Sequence, residues 1–304
     1  MKMLIIKLGA TGDVVRTTPL LRQFLGEITW LTAAKNTMLL EGLKNNLRSY
    51  SWEDRVRALN TDYDLVINLE DTLDVAQFLK TLRYKEIFGA YVDSNNSLRY
   101  TENSRCWFDL SLISSHGRHE ADRLKLLNRQ TYQELIFNGL GLRFAAEPYV
   151  LPEGTETGLY GDVALAAEAG AVWPMKKWAY YDQLKQRLED QGLIVNVLPE
   201  RPSLLEHLAD VQNHRCLVGG DSLPMHFALG TATPCVSLFT CTSPWEIYDY
   251  RVQKKIVSPL LDEFFYKRGY DVRATTAISV DEVLSAVMAQ LDVAIPVAGH
   301  ITVK

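Results

Sequence analysis

The stretch that most constrains the fold is Met3 to Leu21, with the sequence MLIIKLGATGDVVRTTPLL. It begins as a short apolar run with β-branched residues at its centre, and Gly9 ends that run. Such a run is typical of an inner strand of a parallel sheet, which is buried on both faces. Gly9 and Gly12 then permit a sharp turn, and a helix is expected to begin near Asp13. The sequence therefore predicts a carboxylate at the carboxyl end of a strand, where open α/β sheets bind their ligands.

Three interpretations of this turn compete. Asp13 could simply cap the helix, since Asp is a favoured N-cap residue. The turn could instead open a nicotinamide-binding fold, but that fingerprint needs a third glycine where this chain has Val15. It also needs an acid after the next strand, which here ends in the sequence AAK. In the third interpretation Asp13 is a general base that faces an acceptor hydroxyl, and the turn alone does not separate this from capping.

The alternation of strands and helices continues along the chain, whose 304 residues exceed what one hydrophobic core usually serves. Apolar runs predict strands at 28–32, 47–50, 64–69, 86–92, 162–168, 193–198, 215–219, 234–239 and 255–257. Helical spacing predicts helices at 72–82, 119–140, 178–191, 203–212, 222–230 and 281–291. The Gly- and Thr-rich stretch 154–161 is the predicted linker. We therefore predict two Rossmann-like, doubly wound α/β domains with parallel sheets, at 1–153 and 154–304.

Composition limits the class of protein. Hydrophobic residues make up 47% and charged residues 23%, which is ordinary for a soluble globular protein. The net charge of -5 argues against a nucleic-acid partner. The four cysteines form no CxxC pair, so a reducing, cytoplasmic setting is expected. The first apolar run is too short for a signal peptide, and no stretch approaches the roughly 20 apolar residues of a membrane span.

A second strand, turn and helix follow at 216–230, with the sequence CLVGGDSLPMHFALG. Asp221 or Ser222 is the expected N-cap of its helix. The free backbone N–H groups of Ser222 and Leu223, together with the helix dipole, would bind an anion such as a diphosphate. His226 could face the same cleft or could be a satisfied buried histidine. The loop after the next strand contains Thr242, which could supply a further hydroxyl donor.

Two segments of the first half could meet an acceptor. Residues 93–115 are irregular and polar and include Arg105, so they could form a flap, an acceptor-binding segment or only a surface loop. The basic side chains on one face of the predicted helix 119–140 are Arg118, Arg123, Lys125 and Arg129. That face could be merely solvated, or it could meet an anionic acceptor.

Taken together, these motifs resemble the heptosyltransferase family of glycosyltransferases (family 9). The best-known members of that family transfer heptose from ADP-heptose to the lipopolysaccharide inner core. The matching elements are Gly12-Asp13-Val14 with Thr17-Thr18-Pro19 behind it, the stretch from Asp221 to His226, and the stretch from Pro234 to Pro244. The similarity runs from end to end. Two linked motifs at the right separation are more specific than either one alone.

The resemblance implies a GT-B fold, in which two Rossmann-like domains face each other across a cleft. It also implies transfer with inversion at the sugar carbon, without a metal or other cofactor, and with Asp13 as the general base. The nucleotide sugar, ADP-heptose by analogy, would be bound in the second domain by Lys176, Lys177, Glu200, Asp221, Ser222, Leu223, His226 and Thr242. Within that set, Asp221 would bind a hydroxyl of the donor sugar and Glu200 the ribose. The acceptor would be bound in the first domain by Gly9, Thr11, Gly12, Arg16 and Arg105.

The chain departs from the family pattern at three places near the expected donor site. Leu223 stands where the family has glycine, and its side chain could narrow the phosphate site. Ala171 stands where the family has a phosphate-binding lysine, so Lys176 or Lys177 would have to reach the phosphates instead. The turn at 199–202 is shorter than the usual glycine-rich turn. These departures leave the identity of the donor open.

Three functions remain in competition at this stage. The leading hypothesis is a sugar transferase acting on a bacterial glycan, a lipopolysaccharide core or a glycoprotein. The second is a non-catalytic, accessory GT-B protein that binds a partner, and the third is a nucleotide-sugar epimerase of the same architecture. The expected partners are a nucleotide-sugar donor and a glycan, lipid-linked or protein acceptor, with no nucleic acid. A lipid-linked acceptor would bring the protein into peripheral contact with the inner membrane.

Overall fold

The computed structural model describes residues 1–110 and 116–293, with Val293 described by its backbone only. The chain divides into two compact units. The first comprises Met1–Glu153 and Trp245–Tyr248, and the second comprises Gly154–Pro244 and Asp249–Lys304. Nothing in the sequence pattern predicts that the four residues from Trp245 to Tyr248 pack with the first unit.

The first unit is built on a sheet whose strand order is β3-β2-β1-β4-β5-β6. Its strands are β1 (Lys2–Ile6), β2 (Glu27–Thr32), β3 (Leu47–Ser51), β4 (Asp62–Asn68), β5 (Arg83–Val92) and β6 (Leu98–Tyr100). Its helices are α1 (Thr11–Thr17), α2 (Leu20–Gln23), α3 (Leu73–Phe78), α4 (Arg105–Phe108), α5 (Gly117–Leu127) and α6 (Tyr132–Gly139). The first five strands in this order are parallel, and only β6 pairs antiparallel, against β5.

Strand β1 shows why this sheet is covered on both faces. Met3 and Ile5 pack into one hydrophobic cluster, whereas Leu4 and Ile6 pack into another. All four side chains are buried. Because successive side chains of a strand point to opposite faces, the two clusters lie on opposite sides of the sheet. This is the burial that the continuous apolar run predicts.

The strand order places a topological switch point between β1 and β4. From β1 the chain moves to β2 and β3 on one side, and it then crosses to β4 on the other side. The turn before α1 therefore lies at the carboxyl end of β1, next to the carboxyl end of β4. Crevices of this kind are the usual ligand sites of open α/β sheets.

The prediction of one helix over 119–140 is wrong. The structure has α5 and α6, separated by residues 128–131. A capping box stops a continuous helix there: Thr131 Oγ1 accepts from the Glu134 N–H at 3.3 Å, and Glu134 Oε2 accepts from the Thr131 N–H at 2.7 Å. The Thr-x-x-Glu signal was present in the sequence, but the apolar spacing continues through it.

We expect Thr131→Ala to lower the free energy of unfolding by about 1 kcal/mol, because the substitution removes the acceptor for the Glu134 N–H. Urea unfolding followed by circular dichroism measures this change. Thr131→Ser is the matched control and should stay close to the wild type, since it keeps the hydroxyl. Equal stability of the Ala and Ser variants would contradict the role given to this cap.

The segment 93–115, which was predicted to be irregular, contains regular structure in its described part. It contains the edge strand β6 and the short helix α4, neither of which was predicted. Residues 111–115 lie outside the described part of the chain. Each of the predicted strands is present, with ends that shift by a few residues.

The second unit has a parallel sheet in the order β11-β10-β9-β7-β8. Its strands are β7 (Gly161–Ala166), β8 (Val195–Val197), β9 (His214–Gly220), β10 (Cys235–Phe239) and β11 (Gln253–Val257). Its helices are α7 (Tyr181–Glu189), α8 (Leu204–Gln212), α9 (Leu223–Thr231), α10 (Leu261–Phe264), α11 (Val272–Thr276) and α12 (Val280–Val293). The switch point here lies between β7 and β9, because the chain leaves β7 for β8 on one side and returns to β9 on the other.

Two glycines at the end of β9 allow close approach at this switch point. A Cβ on Gly219 would lie 2.9 Å from the Cβ of Ala166 on β7. A Cβ on Gly220 would lie 3.0 Å from the backbone oxygen of Lys176. The glycine pair therefore lets the 176 segment lie against the carboxyl end of β9. Within the described residues, no helix is both long enough and apolar enough to cross a membrane.

Candidate functional site

Asp13 lies in the first turn of α1, and it is not the N-cap residue, which is Ala10. The capping interpretation of Asp13 is therefore wrong. Its carboxylate is held by two cations instead. Asp13 Oδ1 lies 2.8 Å from Arg16 Nη2, and Asp13 Oδ2 lies 3.7 Å from Lys7 Nζ. The helix and the end of β1 thus fix the carboxylate at the switch point of the first unit.

Lys7 and Glu70 tie the ends of β1 and β4 together. Glu70 Oε1 accepts hydrogen bonds from Lys7 Nζ at 2.9 Å, from the Leu8 N–H at 2.7 Å and from the Gly9 N–H at 3.4 Å. Burial opposes the charge on Lys7, but Asp13 and Glu70 outweigh it and raise the Lys7 pKa above its ordinary value. Lys7 is therefore charged at neutral pH. Neither Lys7 nor Glu70 was predicted as a site residue, although a lysine inside an apolar strand run is itself a signal.

Arg16 was predicted to bind the acceptor, but the structure gives it internal partners. Its guanidinium lies 4.0 Å from the ring centroid of Tyr132, and its Nη1 lies 3.9 Å from Glu246 Oε2. Burial raises the pKa of Tyr132 to about 12, and its hydroxyl shares a 2.6 Å hydrogen bond with Thr17 Oγ1. Arg16 is nine-tenths buried and contacts Asp13, and its role towards an acceptor stays a prediction.

Asp13 is the most accessible carboxylate of this charged cluster. Its side chain is 28% exposed, compared with 16% for Glu70 and 5% for Glu246. Both cations that contact Asp13 are more buried than Asp13 itself. A ligand that enters this edge of the sheet would therefore meet the Asp13 carboxylate first.

Of the remaining residues that were predicted to bind the acceptor, some lie next to Asp13 and one does not. Gly9 adjoins open space, since a Cβ built there meets no atom within 4 Å. Gly12 lies in α1 next to Asp13. Thr11 Oγ1 donates to Asn36 Oδ1 at 2.8 Å, and Arg105 pairs with Glu102 at 3.5 Å on the exposed surface. The structure therefore places Gly9, Thr11, Gly12 and Arg16 around Asp13. Arg105 instead pairs with Glu102, which lies in the turn just before it.

The predicted basic helix face is largely neutralised by neighbours. Arg118 pairs with Asp122, and Arg123 pairs with Glu120. Arg129 lies over Trp245, with its guanidinium carbon 3.8 Å from the ring centroid. Lys125, which was expected on the same face, is buried and pairs with Glu246 at 3.5 Å. These pairings do not support a free basic surface for an anionic acceptor.

In the second unit, two adjoining pockets open at the switch point. The larger has a volume of about 360 Å³, and its lining includes Ala167, Glu200, His207, Ser222 and Leu223. The smaller has a volume of about 150 Å³, and its lining includes Gly170, Trp173, Lys176, Asp221 and Ser222. Both pockets share Glu168 and Ser222, so they are contiguous around the amino end of α9. Glu168 and His207 were not predicted as site residues.

The structure separates the two candidate phosphate-binding lysines. Lys176 Nζ donates to the backbone oxygen of Asp221 at 2.7 Å and to its carboxylate at 3.1 Å, inside the smaller pocket. Lys177 Nζ instead pairs with Glu168 at 2.8 Å, and its side chain is half exposed. Of these two lysines, Lys176 is therefore the one whose ammonium group lies beside Asp221 at the helix end.

The short turn at 199–202 is held in place by an ion pair with helix α8. Arg201 Nε donates to Asp210 Oδ2 at 2.6 Å, and Arg201 Nη2 donates to Asp210 Oδ1 at 3.0 Å. Asp210 is fully buried, so this bidentate pair fixes the turn. Glu200, which was predicted to hold a ribose, lines the larger pocket from this fixed turn.

Some of the other residues that were predicted to bind the donor line these pockets, whereas others are buried. Ser222 is the N-cap of α9, and the first N–H groups of a helix have no partner within it. Leu223 lines the larger pocket, so its side chain adds an apolar wall there. His226 and Thr242 are buried and are not part of either pocket lining. The role of His226 in the donor site stays a prediction.

Two other histidines of the second unit are held neutral. Burial is the largest cause that lowers the pKa values of His207 and His214. The amide nitrogen of Asn196 lies 2.9 Å from His214 Nε2, and the Asp210 carbonyl oxygen lies 2.6 Å from His214 Nδ1. The imidazole must therefore accept at Nε2 and donate from Nδ1. Protonation at Nε2 would place two donors against each other.

We expect the free energy of unfolding to fall as the pH is lowered from about 7.5 to about 5.5. A group whose pKa is depressed by folding binds its proton in the unfolded chain first, so stability is present above the ordinary histidine pKa and is lost below it. Carboxylates titrate at lower pH, so this window isolates the histidines. Urea unfolding at several pH values measures the slope. A flat stability across the window would contradict the neutral, buried state of His207 and His214.

Among the described residues there is no cluster of three or more His, Cys, Asp or Glu side chains that could hold a metal ion. The prediction that the reaction needs no metal is not tested by this observation and stays a prediction.

Comparison with known proteins agrees with this geometry. Residues 172–263, which contain Lys176, α9 and β10, match the family model described as glycosyltransferase family 9 (heptosyltransferase). No curated protein sequence matches the chain.

Solved structures match over nearly the whole chain. A glycosyl transferase family 9 structure from Veillonella parvula is 15% identical, with a TM-score of 0.64 over 95% of this chain and 97% of that chain. The heptosyltransferase WaaC of E. coli, solved with ADP, is 14% identical, with a TM-score of 0.61 over 95% and 100%. The ADP-heptose lps heptosyltransferase II of E. coli is 15% identical, with a TM-score of 0.61 over 96% and 98%. At these identities the likeness shows the fold.

The predicted fold class, two doubly wound parallel-sheet α/β domains of the GT-B type, is thereby confirmed. The predicted resemblance to the heptosyltransferase family is confirmed by the family match and by this shared fold. Residues 172–263 thus match glycosyltransferase family 9 (heptosyltransferase), and the whole chain shares its fold with solved structures of that family.

Proposed function

We propose that this protein transfers a sugar, with inversion, from a nucleoside-diphosphate donor to a hydroxyl group of a glycan acceptor. The observation that carries the proposal is Asp13, a partly exposed carboxylate held by Lys7 and Arg16 at the ligand-binding edge of its sheet. A general base must reach the proton that it removes. Asp13 meets this condition better than the more buried Glu70 or Glu246.

The proposed reaction is a displacement at the anomeric carbon of the donor sugar. The oxygen of the acceptor hydroxyl attacks the anomeric carbon of the donor sugar, and its proton passes to a carboxylate oxygen of Asp13. The bond from the anomeric carbon to the diphosphate breaks, and the electron pair leaves with the diphosphate. Because the acceptor attacks from the face opposite the leaving group, the configuration at that carbon inverts.

The second unit supplies the donor site in this proposal. Lys176 and the N–H groups of Ser222 and Leu223 would bind the diphosphate and stabilise the charge that it gains as it leaves. The nucleoside would occupy the larger pocket, with Glu200 accepting from the ribose hydroxyls. The sugar would occupy the smaller pocket, where Asp221 can accept from a sugar hydroxyl and the Trp173 ring adds an apolar wall.

ADP-heptose is the donor that we propose, by analogy with the ADP and ADP-2-deoxy-2-fluoro heptose complexes of WaaC. The proposed acceptor is a bacterial glycan, a lipopolysaccharide core or a glycoprotein. A lipid-linked acceptor would place the reaction in the cytoplasm, at the surface of the inner membrane. No metal is included in this mechanism, since Lys176 supplies a cation at the leaving group.

Calorimetric titration with ADP-heptose and other nucleotide sugars tests the donor site directly. The proposal predicts saturable binding of at least one nucleoside-diphosphate sugar, weakened by substitution of Lys176. A protein that binds no donor would be the accessory, non-catalytic type instead. An epimerase would convert the donor without an acceptor, whereas the transferase should release free nucleotide only when an acceptor is present.

A further inference from the structure

The segment from Trp245 to Tyr248 lies between β10 and β11 in sequence but packs with the first unit. The backbone N–H of Tyr132 donates to the Glu246 carbonyl oxygen at 2.9 Å. Trp245 stacks under Arg129, and Tyr248 makes an edge-to-face contact with Phe144 at 5.2 Å between ring centroids. These contacts fix the segment at both ends and in its middle. The Glu246 side chain therefore has a defined position.

The buried carboxylate of Glu246 faces two buried cations. Glu246 Oε2 lies 3.9 Å from Arg16 Nη1, and Glu246 Oε1 lies 3.5 Å from Lys125 Nζ. The other end of the Arg16 guanidinium lies 2.8 Å from Asp13 Oδ1. Arg16 is thus shared between Asp13, which is partly exposed, and Glu246, which is not.

We propose that Glu246 is a positioning residue for Asp13, acting through Arg16 and keeping Asp13 able to accept a proton. This inference rests on the proposed function, since it concerns the same carboxylate. The residue that tunes Asp13 lies more than 200 positions later in the chain, on a segment that continues directly from the last residue of the Pro234 to Pro244 stretch.

The charge balance of the cluster supports this role. The cations are Lys7, Arg16 and Lys125, and the anions are Asp13, Glu70 and Glu246, three of each. Among the residues that the structure describes, Tyr132 also faces the cluster, and burial keeps it uncharged at neutral pH. Neutralising Glu246 would remove one negative charge from this buried cluster. The remaining cations would then act more strongly on Asp13 and make its carboxylate a weaker base.

Glu246→Gln keeps the shape of the side chain and removes its charge. We expect kcat to fall about tenfold and the acid limb of the pH–rate profile to move down by about one pH unit, while the KM for the donor changes less than about twofold. Glu120→Gln, on the exposed surface of α5, is the matched control and should leave all three unchanged. A merely structural Glu246 would lower stability without moving the acid limb.

Lys125→Met combined with Glu246→Gln restores the charge balance and keeps the test usable if the single variant folds poorly. We expect the double variant to regain most of kcat and to return the acid limb towards the wild-type pH. Lys125→Met alone should move the limb in the opposite direction. A double variant no better than Glu246→Gln would overturn the proposed charge coupling.

A readout that needs no activity separates this inference from the proposed function. The carboxyl carbon of Asp13, assigned in a 13C NMR spectrum by its absence in Asp13→Asn, should titrate about one pH unit lower in Glu246→Gln than in the wild type. An unchanged titration midpoint overturns the positioning role. Wild-type protein that transfers no sugar from any donor overturns the proposed function instead, and the NMR result still decides the role of Glu246.

Discussion

Asp13→Asn should lower kcat/KM for sugar transfer by about 10²- to 10⁴-fold, because an amide cannot take the proton of the acceptor hydroxyl. Donor affinity should stay within about twofold of the wild type, since the proposed donor residues belong to the second unit. The melting temperature should change little, because Lys7 keeps Glu70 as a partner and Arg16 keeps Glu246. Initial rates of nucleotide release with acceptor, together with donor calorimetry, measure both parts of this prediction.

Asp62→Asn is the matched control for this substitution. Asp62 is an exposed carboxylate of the same unit that pairs with Arg83, far in sequence from the proposed base. The control should transfer sugar at the wild-type rate. An Asp13→Asn enzyme that kept more than about a tenth of the wild-type kcat/KM would remove Asp13 from its role.

Lys176→Met should weaken donor binding by about 10- to 100-fold, which is the range for losing a charge-assisted hydrogen bond. The substitution also removes the lysine that pairs with the Asp221 carboxylate, so a bound diphosphate would no longer be shielded from that carboxylate by the Lys176 charge. The effect should fall on the dissociation constants of both the nucleotide sugar and the free nucleoside diphosphate. Calorimetric titration of each ligand measures it.

Lys177→Met is the neighbouring control for Lys176→Met. Lys177 pairs with Glu168, whose side chain is 78% exposed, and an exposed pair of this kind contributes little. We expect less than about a threefold change in donor affinity for this variant. A larger loss in Lys177→Met than in Lys176→Met would reverse the assignment of the phosphate-binding cation.

The fold was predictable because its main signals are local. Buried parallel strands need continuous apolar runs, and the run at the start of the chain places Met3 and Leu4 on opposite, equally buried faces. Strand ends and turn residues then locate the carboxyl edge of each sheet. The two strand–turn–helix motifs, together with the alternation of strands and helices along the chain, therefore sufficed to predict the doubly wound fold class.

Features that depend on distant parts of the chain were not predictable. Glu70 meets Lys7 only because β1 and β4 pair across the switch point. Lys125 belongs to a helix whose sequence predicts a basic outer face. Its side chain is buried instead and pairs with Glu246, which lies on a segment distant in sequence. No local sequence pattern indicates the contact between Lys125 and Glu246. Lys125 was therefore interpreted as part of a candidate acceptor surface, although it belongs to an interior ion pair.

The residues of the proposed donor site were predictable only in part. The family resemblance implied a phosphate-binding lysine, which is absent at Ala171, and left Lys176 and Lys177 as alternatives. The choice depends on Gly220, which lets the backbone at Lys176 lie close to β9 and brings its ammonium group to Asp221. Such a close approach follows from three-dimensional packing and not from the order of the residues.

The most direct test of the account is a mass-spectrometric assay of ADP-heptose with candidate bacterial glycan acceptors, run in parallel with wild-type protein and Asp13→Asn. The proposed role of Asp13 predicts that the wild type forms an acceptor product one sugar residue heavier and releases nucleoside diphosphate in equal amount, and that Asp13→Asn does neither while still binding the donor. Equal product from both proteins, or an Asp13→Asn protein that no longer binds the donor, would contradict it.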